Sequence, residues 1–209
     1  MNLETVLLLE TVNFAAEKHK TQRRKDPEAT PYINHPIGVA RILSYEGGIT
    51  DITVLQAALL HDTVEDTDTS LPELEAVFGA TVARIVQEVT DDKALSKQER
   101  KQLQVEHAPH CSHQAKLVKL ADKLYNLRDL NRCTPSGETA HTGTPSRKTA
   151  RTDTPSRKTA HTDTPSRWTL QRVQEYFTWA AQVVKGLRGT NAVLEEKLYQ
   201  LFKERGIET

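Results

Sequence analysis

One stretch in the first third of the chain decides the fold, and it reads Ile52-Thr-Val-Leu-Gln-Ala-Ala-Leu-Leu-His-Asp-Thr-Val-Glu-Asp66. Between Val54 and Leu60 only Gln56 is polar, which predicts a helix that is apolar on all sides and therefore buried. Asp51 can cap the start of this helix. Four ionisable groups then follow within six residues, beginning at His61. Because burying those acids without a partner would be costly, their position favours a cation beside them.

Helical patterns continue on both sides of this stretch. Apolar residues recur at helical intervals over residues 3–19. Proline is favoured in the first turn of a helix, so a short helix is expected from His35-Pro36 through Ile42, with a stop at Gly47-Gly48. The capping-box sequences Ser70-Leu-Pro-Glu73 and Ser96-Lys-Gln-Glu99 predict helices that begin near Leu71 and Lys97.

Further helices are predicted over residues 81–89, 113–130, 169–187 and 191–205. No convincing alternating strand pattern occurs anywhere in the sequence. The predicted fold class is therefore all-α, an irregular helical bundle.

Residues 134–167 differ in composition from the rest of the chain. A tandem repeat of ten residues begins with Thr-Pro-Ser at Thr134, Thr144, Thr154 and Thr164. Apart from prolines, its only apolar side chains are Ala140, Ala150 and Ala160. Such a segment cannot bury enough surface to offset an ordering cost of about 1–2 kcal/mol per residue. We therefore expect a single domain, residues 1–209, that is interrupted by a disordered insertion at residues 134–167.

Composition and charge exclude several classes of protein. The 28 lysines and arginines balance the 28 acidic residues, so no global field attracts nucleic acid. No stretch approaches the roughly 20 apolar residues of a membrane span, and the first residues lack a signal-peptide pattern. Two cysteines are too few for a disulfide framework. These features predict a cytoplasmic protein without a nucleic-acid or membrane partner, and they leave the oligomeric state open.

Two distant positions strengthen the case for a cation at His61-Asp62. His35 stands where a helix is expected to begin, and Asp122 lies in the middle of a leucine-rich helix. Two imidazoles and two carboxylates without a thiolate suit a borderline-to-hard divalent ion. Taken singly, His35 is more simply an ordinary loop histidine, and the acids after His61 could be a solvated helix end.

Two further acids lie near this set of ligands. Glu65 and Asp66 each follow a candidate ligand by four residues, which is one helical turn and within reach of a metal-bound water. On the helix of Asp122, both Asn126 and Asp129 share its face by their three-to-four spacing. A solvent-facing position is a serious alternative for Asp129.

Four local sequences are more specific than these patterns: Arg23-Arg-Lys-Asp-Pro27, Thr30-Pro-Tyr-Ile-Asn-His-Pro-Ile37, Ala57-Ala-Leu-Leu-His-Asp-Thr-Val-Glu-Asp-Thr67 and Val118-Lys-Leu-Ala-Asp-Lys-Leu-Tyr-Asn-Leu-Arg128. With the order of histidine, His-Asp and distant aspartate, they resemble the HD phosphohydrolase superfamily. More narrowly, they resemble the hydrolase domain of the RelA/SpoT alarmone enzymes, above all its stand-alone animal form. The resemblance covers about residues 3–133 and 168–207, nearly everything except the repeat.

This resemblance implies a manganese-dependent hydrolase, with one divalent cation, that removes the 3′-pyrophosphate of guanosine 3′,5′-bis(diphosphate) (ppGpp). It implies metal ligands at His35, His61, Asp62 and Asp122. It matches Glu65 and Asp66 to the acidic pair that activates or positions water, without deciding which accepts the proton. It matches the nucleotide side of the pocket to Arg24, Lys25, Tyr32 and Asn126.

Several alternatives remain open. The same pocket could hydrolyse another 2′- or 3′-phosphorylated nucleotide, such as NADPH, or the chain could be an inactive HD scaffold that binds nucleotide or protein. The insertion, with six basic and three acidic residues, could be an interaction segment or a tolerated repeat expansion without function. A second, synthetase domain is not expected, because little of the sequence follows Gly206.

Overall fold

The computed structural model describes residues 2–26, 28–133 and 169–208. Ten α-helices make up this part of the chain, and in chain order they are α1 Leu3–Lys18, α2 Asn34–Arg41, α3 Ile52–Leu60, α4 Thr63–Asp66, α5 Leu71–Phe78, α6 Ala80–Val89, α7 Lys97–His107, α8 His113–Cys133, α9 Leu170–Lys185 and α10 Ala192–Glu204. The described residues form no strand beyond an isolated antiparallel bridge between Arg23 and Pro31. The all-α prediction is confirmed for them, whereas the predicted insertion lies outside the described residues.

Helix α3 is the centre of the bundle, as its apolar sequence predicts. It packs against α1, α2, α6 and α8, and every residue from Val54 to Leu60 is buried. Its one polar residue in that stretch, Gln56, donates a hydrogen bond to the buried hydroxyl of Thr11 in α1 at 3.0 Å. Asp51 caps the helix by accepting a hydrogen bond from the backbone N–H of Thr53 at 2.9 Å. Burial on all sides fixes the end of α3 relative to its neighbours, and the candidate site lies at that end.

Most of the predicted helix starts are confirmed. Both capping boxes form at Ser70 and Ser96, where each serine and the glutamate three residues later bond reciprocally to the backbone. The last predicted helices begin and end within three residues of the expected bounds, with Thr169 and Asn191 as caps. None of the helices in the described part of the chain has the length and apolarity that a bilayer span requires.

The helical segment that begins at Asn34 ends at the predicted stop, Gly47, but its last turn is π-helical. After α2, a π-helical turn spans Ile42–Glu46, and the N–H of Gly47 closes it on the Ile42 carbonyl at 2.9 Å. The Glu46 carboxylate accepts hydrogen bonds from both terminal nitrogens of Arg128 in α8, at 2.8 and 2.9 Å. This wider turn is therefore tied to α8, and local sequence patterns do not report such a long-range contact.

Candidate functional site

Four side chains from three separate places in the chain converge at the end of α3. His35 lies in the first turn of α2, His61 and Asp62 link α3 to α4, and Asp122 is in the middle of α8. The Nε2 atom of His35 lies 3.2 Å from His61 Nε2, 3.4 Å from Asp62 Oδ2 and 3.3 Å from Asp122 Oδ1. The structure thus brings together all four residues that the sequence singled out as candidate ligands. They are called the ligand cluster below.

The two histidines of the ligand cluster are oriented in different ways. His61 donates a hydrogen bond from Nδ1 to the carbonyl of Ala58 at 2.7 Å, so in the neutral ring the lone pair of Nε2 faces the cluster. The Nδ1 atom of His35 is buried and has no hydrogen-bond partner among the described residues. Its ring instead packs edge-to-face against Tyr125, with centroids 4.8 Å apart. Both rings therefore direct Nε2 at the same point.

The charges of the ligand cluster favour a cation at its centre. Burial lowers the pKa of His61, but the Asp62 and Asp122 carboxylates outweigh it and raise that pKa to about 9. Burial alone would raise the pKa of Asp62, yet the two imidazoles hold it well below its usual range. Donor atoms from His35, His61 and Asp62 lie within 4.8 Å of one another. Two nitrogens and two carboxylates in a largely buried position fit a borderline-to-hard divalent cation.

Glu65 and Asp66 lie in α4, directly beyond the ligand cluster, but different groups hold them. Glu65 accepts hydrogen bonds from the Arg100 guanidinium at 3.2 Å and from the Asp91 backbone N–H at 3.3 Å. Asp66 forms an ion pair with Lys93 at 2.7 Å. Burial raises the pKa of Glu65, and the charge of Asp91 adds to that shift. The Glu65 carboxylate therefore binds a proton more readily than the carboxylate of an ordinary, exposed glutamate.

A large cavity of about 490 Å³ opens beside α4 and α8. It is lined by Arg24, Lys25, Tyr32 and Asn126, the four residues matched to the nucleotide side of the pocket, and by Asp66. Its positive side chains and its size suit a phosphorylated small molecule.

Arg24 is preorganised at the wall of the large cavity. Its guanidinium lies 5.9 Å from the ring centroid of Tyr32 and 5.5 Å from that of Tyr125. It donates hydrogen bonds to Asn126 at 3.2 Å and to Asp129 at 3.0 Å. Asp129 is therefore not simply solvent-facing, and its place on the face of Asn126 was the sequence signal for this contact.

Tyr32 connects the large cavity to the ligand cluster. Its hydroxyl donates to Asp62 Oδ2 at 2.7 Å and lies 3.4 Å from Asp66 Oδ2. Sequence reasoning placed Tyr32 beside the nucleotide only, and it missed the supports from Arg100, Lys93 and Asp91. These residues come from α7 and the loop before it, so no local spacing relates them to α4.

Comparisons with known proteins agree with this geometry. A family model described as the HD domain matches residues 11–145. The guanosine-3′,5′-bis(diphosphate) 3′-pyrophosphohydrolase MESH1 of Danio rerio is 70% identical over 203 residues, which cover 97% of this chain and 96% of that protein. The Homo sapiens protein of the same name is 63% identical over 207 residues, 99% of each chain.

A solved structure is similar along nearly the whole chain. It is described as a metazoan ortholog of SpoT that hydrolyzes ppGpp, and it superposes with a TM-score of 0.80 at 49% identity. The match covers 97% of this chain and 97% of that one. The chain therefore belongs to the HD-domain family, and within it to the SpoT-like hydrolases.

Proposed function

We propose that this protein hydrolyses guanosine 3′,5′-bis(diphosphate) to GDP and pyrophosphate. The observation that carries the proposal is the convergence of His35, His61, Asp62 and Asp122 beside two further carboxylates and a basic cavity. Relatives that are 63% and 70% identical over almost their whole length bear the name of this activity. The activity that names these relatives and the geometry of the site therefore point to the same chemistry.

The reaction needs one water molecule and no redox partner. The water oxygen forms a bond to the phosphorus that is attached to the ribose 3′-oxygen, and the bond between that phosphorus and the 3′-oxygen breaks. One proton leaves the water and one is taken up by the departing 3′-oxygen. The products are GDP and inorganic pyrophosphate.

We propose Mn²⁺ as the cation, held by the ligand cluster. A divalent ion in such a site lowers the pKa of bound water and polarises a phosphoryl oxygen. The donor set supports the charge and hardness of this ion but is equally compatible with other divalent metals. The choice of manganese rests on the resemblance to the family.

The remaining steps fall to side chains of the chain itself. Glu65 or Asp66 accepts the proton of the attacking water, and the raised pKa of Glu65 favours Glu65. Arg24 and Lys25 neutralise phosphate charge in the large cavity, Arg24 with a planar fork that suits phosphate oxygens. Tyr32 fixes the Asp62 carboxylate by its hydrogen bond of 2.7 Å. We assign Asn126 to the same wall, where it holds Arg24.

Metal removal combined with product identification tests the proposal. The protein is stripped with a chelator, dialysed and assayed with guanosine 3′,5′-bis(diphosphate), with and without added Mn²⁺. We expect activity to disappear on stripping and to return with manganese, with GDP and pyrophosphate as products.

A panel of other 2′- and 3′-phosphorylated nucleotides, including NADPH, identifies the preferred substrate. Undiminished turnover in metal-free protein would contradict the metal site. A clear preference for another nucleotide would contradict the substrate, and no turnover of any phosphoester would favour an inactive scaffold.

A further inference from the structure

A second, smaller chamber of about 200 Å³ adjoins the ligand cluster. His61, Asp62, Asp122 and Glu65 line it, whereas Asp66 and Asn126 line the large cavity. Tyr176 of α9 lines both spaces. Three members of the ligand cluster therefore face the small chamber, and Tyr176 separates this chamber from the large cavity. The proposed function uses only the large cavity to hold substrate.

The wall that α8 contributes to the small chamber carries two lysines one turn apart. Lys119 and Lys123 are 9% and 7% exposed, and both line the chamber. The ammonium of Lys123 pairs with Asp122 at 2.9 Å and lies 4.9 Å from the ring centroid of Trp179. Lys119 has neither a hydrogen bond nor an ion pair with any residue that the structure describes. Burial, together with the Lys123 charge, lowers the pKa of Lys119, as expected for a cation in that position.

The acids of the chamber compensate Lys119 only in part, through the charges of Asp91 and Asp122, because each acid already has another partner. Glu65 is held by Arg100 at 3.2 Å, and Asp91 accepts a hydrogen bond from Gln104 at 2.6 Å. A largely buried charge that lacks a direct partner is unfavourable, and a like charge one turn away adds to the cost. An anion in the chamber would offset both effects.

We propose that the small chamber binds the terminal phosphate of the substrate's 3′-pyrophosphate, with Lys119 as the cation that receives it. This inference rests on the proposed function. The chamber is smaller than the roughly 300–1,000 Å³ of pockets that hold whole small molecules, so it suits a phosphate group and not a nucleoside. The nucleoside and its 5′-diphosphate then occupy the large cavity beside Arg24 and Lys25. The phosphorus that is attacked lies at the ligand cluster, between the two spaces.

Two matched ligands isolate the role of the chamber. Guanosine 3′,5′-bis(diphosphate) and guanosine 5′-diphosphate 3′-monophosphate differ only by the terminal phosphate that the chamber is proposed to bind. For Lys119→Met we expect the KM of the first to rise at least tenfold, equivalent to about 1.4 kcal/mol. The inhibition constant of the second should change less than about threefold. A merely structural role for Lys119 would weaken both ligands equally, and that result would overturn the proposal.

Two further variants serve as controls. Lys119→Arg keeps the charge and should restore most of the loss. Lys116→Met removes a lysine from the same helix that does not line the chamber, and it should leave both constants unchanged. Equal effects of Lys116→Met and Lys119→Met would contradict a specific role for Lys119.

Direct binding tests the chamber without turnover. Calorimetric titration of the manganese-loaded protein with inorganic pyrophosphate, at a fixed excess of Mn²⁺, should show at least tenfold weaker binding to Lys119→Met. Binding of GDP should stay unchanged. Unchanged pyrophosphate binding in a variant that still hydrolyses the alarmone would overturn this inference alone. If wild-type protein fails to hydrolyse the alarmone but binds pyrophosphate through Lys119, the proposed function fails and the anion site stands.

Folding of the variant is checked by thermal denaturation. Loss of a largely buried charge without a direct partner should leave the melting temperature equal or higher. If Lys119→Met does not fold, Lys119→Gln and Lys119→Arg carry the same comparison, and equal pyrophosphate affinity in those two variants would overturn the proposal.

Discussion

At the scale of single residues, Glu65 and Asp66 are adjacent in sequence yet sit in different surroundings. Glu65 faces the small chamber and is held at both oxygens, by Arg100 and by the Asp91 amide. Asp66 faces the large cavity and pairs with Lys93. A carboxylate whose pKa is raised toward the working pH accepts a proton more effectively. The two acids should therefore contribute unequally to catalysis.

Neutral substitutions separate the chemistry from metal binding. Glu65→Gln and Asp66→Asn keep the shape of each side chain, and we propose neither as a metal ligand. At least one should lose about a hundredfold or more in kcat, the usual scale of general acid–base catalysis, and Glu65→Gln should lose more. Metal content, measured by atomic absorption, should stay near one per chain. Glu75→Gln on the exposed side of α5 is the matched control, and wild-type turnover in both site variants would refute the assigned roles.

Residue patterns predicted the members of the site better than their contacts. His61-Asp62 stood out because it ends an apolar helix, the positions of His35 and Asp122 completed a donor set, and resemblance to a family assigned all four as metal ligands. Arg100 and Lys119 were not predicted. A helical lysine or arginine is common on any solvated face. Only contacts between distant elements make Lys119 a buried neighbour of the site and Arg100 a half-buried one.

At the scale of elements, α2 and α8 meet where Gly38 leaves room for the ring of Tyr125. A Cβ atom on Gly38 would lie 2.1 Å from Tyr125 Cε2, so the ring would have to move. The same ring packs against His35 at 4.8 Å and against the Arg24 guanidinium at 5.5 Å. Movement of Tyr125 would therefore disturb a ligand-cluster histidine and the wall of the large cavity together.

We expect Gly38→Ala to destabilise the protein and weaken metal binding. Alanine gains about 1 kcal/mol of helix propensity, but overpacking typically costs about 1–3 kcal/mol, so a net loss of roughly 1 kcal/mol is expected. Urea denaturation measures the stability, and manganese titration measures the affinity. Arg41→Ala, at an exposed position of the same helix, should change stability by less than about 0.5 kcal/mol. A Gly38→Ala protein with wild-type manganese affinity would show that Tyr125 does not orient His35.

The π-helical turn after α2 gives the stability a defined pH dependence. Hydrogen bonds from Arg128 outweigh burial and, with Lys197, hold the pKa of Glu46 at about 2. An unfolded glutamate titrates near 4.3, so the contribution of Glu46 is complete above about pH 4.3 and is lost as the pH falls toward 2. The side chains of Arg128 and Lys197 are each 38% exposed, so solvent screens their charges. We therefore expect Glu46 to contribute on the order of 2 kcal/mol to the free energy of unfolding.

Glu46→Gln tests this dependence directly. The variant should be less stable than wild type at pH 7, and the difference should shrink as the pH falls below about 4. Urea denaturation at a series of pH values measures it, with exposed Glu196→Gln as the control. A stability difference that is constant across the series would mean that Glu46 titrates normally.

Elements that depend on local sequence were predicted, and those that depend on distant partners were not. Capping boxes and the burial of α3 follow from residues within one or two turns, and both are confirmed. The π-helical turn depends on Arg128 and Lys197, which lie more than eighty residues away in sequence.

At the scale of the whole molecule, one residue after α10 ties together the two helices that flank residues 134–168. The Arg205 guanidinium donates to Asn131 Oδ1 in α8 at 2.9 and 2.7 Å. The Arg205 carbonyl accepts a hydrogen bond from Gln174 in α9 at 3.1 Å. The Arg205 guanidinium also stacks over the Phe177 ring, 5.1 Å from the ring centroid. The junction of α8 and α9 is thus held by contacts that do not involve residues 134–167.

We propose that residues 134–167 interrupt a single domain whose fold does not need them, and deletion tests this. A bridge of about six glycines and serines between Cys133 and Trp168 should recover only about 1.5 kcal/mol of closure entropy relative to the 34-residue segment. The shortened protein should fold, bind metal and show a similar kcat, because the segment has no large apolar side chain to bury.

A second variant separates length from charge. It keeps all 34 residues but replaces the six basic ones by serine. Because α8 and α9 both line the large cavity through Leu130 and Tyr176, any effect of the segment should appear in KM. An equal rise in KM in both variants would indicate attraction of the anionic substrate, which is screened by salt. Failure of the deletion variant to fold, measured by circular dichroism and denaturation, would show that the segment is part of the folded domain and that the contacts of Arg205 are insufficient to close it.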